Sequence, residues 1–317
     1  MEFRFHNIPY NVDKILNRED QKTSVKDKIE SLKDDLIIKD SGMTVYTKSD
    51  IEFSKGCQAC KNGTWWCLHM GLDCNLKCKF CSQDKSPEAA HKWNHPRSIM
   101  DYWIDDVKSY LDLFGKQLTG MSYSGGETLM YLPKVLEIAR YIKKTQKHIY
   151  QWLYTNGVHV TEDVLKKLRE AGISELRVNL TATDFNERVV SKLKMIRKII
   201  GRATVEIVSI PETYKKLIDE EYIYKLVNLG VQQLNLAEFE MMQHVNWKNY
   251  AENKDIYIHD TFDCEMYSPA ESRKITLAII EYVIKNKLNI LVNDCSNDTK
   301  HLQRIMRKQN SPNILKY

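Results

Sequence analysis

Apolar positions along the chain alternate between two periods. Trp65, Cys67 and His69 fall on one face of an extended stretch and Trp66, Leu68 and Met70 on the other, which predicts a strand over 65–72. Trp103, Ile104, Val107, Tyr110 and Leu111 then recur at helical spacing and predict a helix over 101–113. The alternation continues as strands over 118–124, 148–154, 175–180, 203–210 and 232–236. Helices over 132–144, 162–171, 186–200 and 214–229 separate them, three of these closed by Gly172, Gly201 and Gly230. Strands alternating with helices in this way imply parallel strands with right-handed crossovers.

The flanks read differently. Ile29, Leu32, Leu36 and Ile37 predict an amphipathic helix over 25–38, and short strands are expected at 43–46 and 51–53. Residues 1–56 are therefore expected to cap the 57–240 core. Residues 241–273 have no clear period, and an irregular segment after the last strand of such a core is expected to cover the site. A helix over 272–285 and a strand over 288–292 follow, so 241–317 forms a C-terminal segment. Its basic tail, with Lys300, Arg304, Arg307 and Lys308, reads as a solvated helix face.

Length and composition change this picture little. The 317 residues, 43% hydrophobic and 28% charged, suit a globular chain with a large core. Forty-seven basic and 42 acidic residues leave a net charge of +5, too mild to argue for nucleic acid. The opening Met1-Glu2-Phe3-Arg4-Phe5-His6 has no apolar leader, and no run is long enough to span a membrane. A reducing cytoplasm is expected, where the eight cysteines stay free for metal.

The cysteines carry the chemistry. Cys74, Cys78 and Cys81 sit at x3 and x2 spacings just after the first predicted strand. Three close thiolates can hold three corners of a cubane iron–sulfur cluster and leave one iron open to a small molecule. A structural zinc site would need four ligands. Upstream, Cys57-x2-Cys60 beside Gly56 and Gly63 is a metal half-site. It would be completed from the remaining cysteines, Cys67, Cys264 and Cys295, as a cluster or as zinc.

Cys-x3-Cys-x2-Cys with Phe80 before the last cysteine resembles the signature of the radical SAM superfamily. Tyr123-Ser124-Gly125-Gly126-Glu127 resembles its Gly-Gly-Glu motif, and Leu153-Tyr154-Thr155-Asn156-Gly157 a strand end common in its activase-like branch. The likeness covers roughly 65–240. Gly-Cys57-x2-Cys60, Asn293-Asp294-Cys295-Ser296 and Lys300-x2-Gln303 resemble a group related to the pyruvate formate-lyase activating enzymes.

The resemblance implies an α/β fold: a partial (β/α)6 TIM-like barrel with an N-terminal extension and a C-terminal β/α segment. It implies a [4Fe-4S] cluster on Cys74, Cys78 and Cys81 whose open iron takes S-adenosylmethionine (SAM). Gly125, Gly126 and Glu127 would contact SAM, with Asn156, Asn179 and Ser209 as candidate ribose or adenine contacts. Tyr123, Tyr154, His69 and Glu206 are candidate cavity residues by strand position. Cys57, Cys60, Cys295 and either Cys67 or Cys264 would hold an auxiliary [4Fe-4S] cluster or zinc. Reductive cleavage of SAM would give a 5′-deoxyadenosyl radical that abstracts hydrogen from a small-molecule or peptide substrate. A flavodoxin or ferredoxin would supply the electron. The competing readings are a glycyl-radical-enzyme activase, an RNA-modifying enzyme and a non-catalytic iron–sulfur or zinc protein. Neither a membrane nor a nucleic acid is an expected partner.

Overall fold

The computed structural model describes residues 14–83, 103–241, 246, 255–259 and 266–312. Its N-terminal part comprises β1 (Lys14–Ile15), α1 (Arg18–Ser31), a hairpin of β2 (Leu36–Lys39) and β3 (Thr44–Thr47), and α2 (Lys55–Lys61). The expected helix over 25–38 thus stops at Ser31, because Leu36 and Ile37 are drawn into pairing with Thr47 and Tyr46. No strand forms at 51–53; Phe53 instead stacks on Tyr46 with ring centroids 4.2 Å apart. The Cys57-x2-Cys60 half-site lies on a helix rather than in a loop, capped by the Ser54 hydroxyl accepting from Gly56 and Cys57 N–H.

Six strands follow with helices between them. They are β4 (Trp65–His69), α3 (Trp103–Phe114), β5 (Gly120–Ser124), α4 (Leu132–Thr145), β6 (Tyr150–Thr155), α5 (Glu162–Ala171) and β7 (Ile173–Val178). Then come α6 (Glu187–Val190), α7 (Lys192–Ile200), β8 (Ala203–Val208), α8 (Pro211–Tyr214), α9 (Tyr222–Asn228) and β9 (Gln233–Ala237). After β10 (Asp255–His259) and β11 (Met266–Pro269) the chain ends in α10 (Ala270–Lys285), β12 (Leu291–Cys295) and α11 (Asn297–Asn310). The main sheet runs β2-β3-β12-β9-β8-β7-β6-β5-β4, parallel from β4 through β9 and on to β12. The hairpin adds antiparallel strands beyond β12, so this part of the N-terminal extension extends the sheet. β1, β10 and β11 form a separate three-stranded sheet.

The plug helix α2 shows that the main sheet curls. Its residues touch β5 through Ala59 and Gly120, β6 through Gly56 and Trp152, and β7, β9 and β12 through Cys57. In a flat sheet β5 and β12 would lie about 24 Å apart at ~4.8 Å per strand. A seven-residue helix is only about 10 Å long. Both can hold only if the strands wrap around the helix, as in a partial barrel. Gly120 permits this contact, since a Cβ there would lie 2.6 Å from the Ala59 Cβ. Outward strand residues such as Met121, Leu153, Leu176, Val205 and Leu234 enter one apolar core with the helices. The inward faces are polar: Ser122, Glu175, Arg177, Thr204, Gln233, Asn235 and Asn293 are all buried.

Candidate active site

The loop after β4 and the ends of β5, β6, β7 and β8 enclose a cavity of about 260 Å³. Parallel strands bring their C-terminal ends to one rim, where barrel sites form. Cys74, Cys78 and Cys81 all border this cavity. Leu76 N–H points at Cys74 Sγ and Gln83 N–H at Cys81 Sγ, both at 3.4 Å. Among the described residues no three ligand side chains converge on a single-ion point.

Backbone zippering sets the loop's position. Met70 N–H donates to Ser124 O, Gly126 N–H to Gly71 O and Glu127 N–H to Asp73 O, at 2.7–2.8 Å. Asp73 N–H donates to the Tyr131 hydroxyl at 2.8 Å, and burial pushes that phenol up to about 12. A Cβ on Gly126 would lie 2.1 Å from Asp73 O. The Gly-Gly pair therefore makes room for the chain's own cysteine loop, besides bordering the cavity.

Glu127 does not border the cavity. Its buried carboxylate accepts from Leu129 N–H at 3.0 Å, Thr155 Oγ1 at 2.7 Å and Asn156 N–H at 2.7 Å, tying the end of β5 to the end of β6. Ser209 is also outside: it follows inward Val208, so it points outward, and its hydroxyl pairs with Thr276 Oγ1 at 2.7 Å. Tyr123 faces the helices and donates to Gln151 Oε1 at 2.7 Å. Asn156, Asn179, Tyr154 and Glu206 do border the cavity. Asn156 Nδ2 donates to Asn75 Oδ1 in the cluster loop at 2.8 Å, and Asn179 Oδ1 accepts from Ala182 N–H at 3.1 Å. His69 lies one residue behind, its Nε2 2.9 Å from the Oε1 of cavity-lining Gln83.

The floor of the cavity holds a residue the sequence reading missed, Arg177. Its Nε donates to Glu175 at 2.9 Å, Nη1 to the Tyr154 hydroxyl at 2.9 Å and Nη2 to Cys57 Sγ at 3.2 Å. Trp152 lies under the guanidinium, 4.9 Å from the ring centroid. Arg177 and Arg202 hold the Glu175 carboxyl below the usual range against its burial. Burial holds Glu206 above that range, although Arg177 lies 3.5 Å away. The available signal was Glu175 and Arg177 alternating with Leu176 and Val178, which places two charges on the face away from the helices.

Below this floor lie Cys57, Cys60, Cys67 and Cys295. Asn293 Nδ2 spans two of them, 3.0 Å from Cys295 Sγ and 3.9 Å from Cys57 Sγ. Burial pushes all four thiols up, Cys60 to about 12. Cys264 lies outside the described residues.

The model of the radical SAM superfamily matches residues 69–244, more than half of the chain. The chain belongs to the radical SAM superfamily. A protein of Methanocaldococcus jannaschii named as a glycyl-radical enzyme activating enzyme is 25% identical over 62% of this chain and 52% of its own length. The AdoMet-dependent heme synthase of Methanosarcina barkeri is 28% identical over 60% of this chain and 58% of its own. The chain thus spans about half the length of the curated relatives it matches. The solved structure of Streptococcus suis SuiB bound to S-adenosylmethionine covers 74% of this chain and 50% of that one, with a TM-score of 0.47 and 12% identity. This radical SAM chain has no described helix long and apolar enough to cross a membrane.

Proposed function

We propose that this chain is an enzyme that holds a [4Fe-4S] cluster on Cys74, Cys78 and Cys81 and cleaves SAM reductively. The observation that carries the reading is the shared cavity: three thiols, two of them facing backbone N–H groups, opposite Gly125, Gly126 and Asn156. When bound, the cluster supplies one electron to the sulfonium, whose C5′–S bond breaks to methionine and a 5′-deoxyadenosyl radical. The chain's own residues orient the reactants and exclude water. Gly125 and Gly126 present backbone to the methionine end, while Asn156 and Asn179 meet the nucleoside end. Tyr154, Arg177 and Glu206 form the floor against which a small-molecule or peptide substrate is held.

Residues 241–317 would cover the mouth. In support, Asn246 Nδ2 donates to Phe80 O at 3.0 Å, and Phe80 packs on an apolar cluster of Ile210, Phe239, Met241, Ile256 and Tyr267. Cys57, Cys60, Cys67 and Cys295 would hold an auxiliary [4Fe-4S] cluster. Three observations support it: Arg177 Nη2 lies 3.2 Å from Cys57 Sγ. Lys61 and Arg177 are buried. Among the described residues, the buried donors Trp152 Nε1 and Arg307 Nε have no protein partner. Cluster-bound thiolates would give Arg177 a further anionic partner besides Glu175 and Glu206. A flavodoxin or ferredoxin would supply the electron.

Anaerobic reconstitution tests the reading. Dithionite and SAM should yield 5′-deoxyadenosine and methionine, and Cys78→Ala should reduce this to background. Wild-type protein that binds iron, takes up SAM and forms no 5′-deoxyadenosine would refute it.

A further inference from the structure

The sulfur of Cys57 sits in an unusual shell. Arg177 Nη2 and Gln233 Nε2 each lie 3.2 Å from it, Asn235 Nδ2 lies at 3.6 Å and Asn293 Nδ2 at 3.9 Å. Asn293 Nδ2 is also 3.0 Å from Cys295 Sγ. These donors come from β7, β9 and β12, so the sheet itself aims them at the plug helix. Gln233, Asn235 and Asn293 are fully buried, and Arg177 is nearly so. Gln233 Nε2 also lies 2.6 Å from Asn235 Oδ1, Asn235 Nδ2 2.6 Å from Glu206 Oε2 and Asn293 Nδ2 2.9 Å from Asn235 Oδ1; the two nearest donors to Cys57 Sγ, one of them a guanidinium, suit a sulfur carrying negative charge.

The two sulfur sites differ in this respect. At the chamber, backbone N–H groups of Leu76 and Gln83 meet two sulfurs at 3.4 Å, and the Asn156 amide reaches Cys74 Sγ only at 4.0 Å. At the plug, side-chain amides and a guanidinium meet Cys57 and Cys295. Reduction adds an electron to a sulfur-bound cluster, and positive charge and N–H···S donors stabilise that added charge. Burial opposes it, because the reduced form carries more charge into a dry interior. The cationic and amide donors lie within contact of the sulfur itself, so their field acts at shorter range than the lost solvent's.

Resting on the reading of a second cluster at the plug, we infer that Arg177, Gln233 and Asn293 are positioning residues that raise its reduction potential above that of the chamber cluster. Arg177 is the joint between the two sites: it borders the chamber and donates to Cys57. The two centres should therefore take up electrons in a fixed order, plug first and chamber second.

The test is a potentiometric titration of the full reconstituted chain with dithionite, followed by electron paramagnetic resonance, beside iron counts and thermal melts. Wild type should hold about eight irons and titrate in two one-electron steps, and Cys57→Ser should remove the upper step and about half of the iron. Arg177→Gln and Asn293→Leu should move the upper step negative by at least a tenfold change in the reduced-to-oxidised ratio at fixed potential, about 59 mV. The lower step should stay. Gln233→Met, close in shape, should move the upper step in the same direction and guards against variants that do not fold. An upper step unmoved in folded variants that keep their iron overturns the tuning but leaves the second cluster standing. About four irons in wild type, unchanged by Cys57→Ser, or zinc in place of the second set, overturns the second-cluster reading and this inference with it.

Discussion

The chamber and the plug use the same residue type in opposite ways. Chamber cysteines ride on a loop, half-buried and bordering a cavity. Plug cysteines ride on regular elements, Cys57 and Cys60 on α2, Cys67 on β4 and Cys295 on β12. The sulfurs of Cys57 and Cys295 are met by strand side chains. The difference teaches what each arrangement is suited to. A loop can leave a metal corner open to an exchangeable ligand, whereas four thiols fixed by a sheet and a helix can close a site completely.

The largest break in this comparison is Cys78→Ala. It should abolish 5′-deoxyadenosine formation while leaving the plug's share of iron in place, as chromatography and iron analysis would show. Loss of all iron would mean that the two sites do not form independently.

Next is Arg177→Met. It leaves the buried Glu175 without its 2.9 Å partner, so a loss of about 3–5 kcal/mol is expected in denaturant titrations. A loss under 1 kcal/mol would show that Arg202 and the Thr204 hydroxyl suffice.

Gly120→Ala should cost about 1–3 kcal/mol, because its Cβ would press on Ala59 of the plug helix. Thermal melts check the size, and iron content should fall at the plug rather than at the chamber. Gly126→Ala sharpens the contrast: its Cβ meets Asp73 O, so the iron lost should be the chamber's.

The smallest effect is a pH dependence. Glu206 is held above the usual carboxylate range mainly by burial, with Arg177 opposing. The folded chain therefore binds this proton more tightly than the unfolded chain. The associated stability is full below about pH 4.3 and is lost as pH rises through the raised value. Glu206→Gln removes that loss. Melts of the two metal-free proteins should thus converge in acid and separate, with the variant the more stable, as pH rises. Curves that stay parallel would argue against a raised Glu206.

Much of the molecule was legible from spacing. The alternation of periods placed the strands and most helices from 118 to 236 within a few residues, because each strand's outward face must feed one apolar core; the helix expected over 214–229 instead breaks at Glu221, which takes a left-handed φ of 57°. Cys74, Cys78, Cys81, Gly125 and Gly126 were legible as a set because they are local motifs at strand ends. The direction of the Glu127 carboxylate was not legible from its motif: donors from the turn after β5 and from the end of β6 claim it. Leu36 and Ile37 were misread because long-range pairing with Tyr46 and Thr47 overrode a helical period.

By itself, then, the sequence determined the order of β/α units and the cysteine spacings that make a cluster loop, since both depend on neighbours within a few residues. Only the tertiary structure decided that Cys57-x2-Cys60 forms a helix plugging the barrel, and that Arg177 reaches it from one side and the cavity from the other. Those contacts join residues more than a hundred positions apart. They exist because a curling parallel sheet turns its polar faces inward, onto whatever the chain places at the centre.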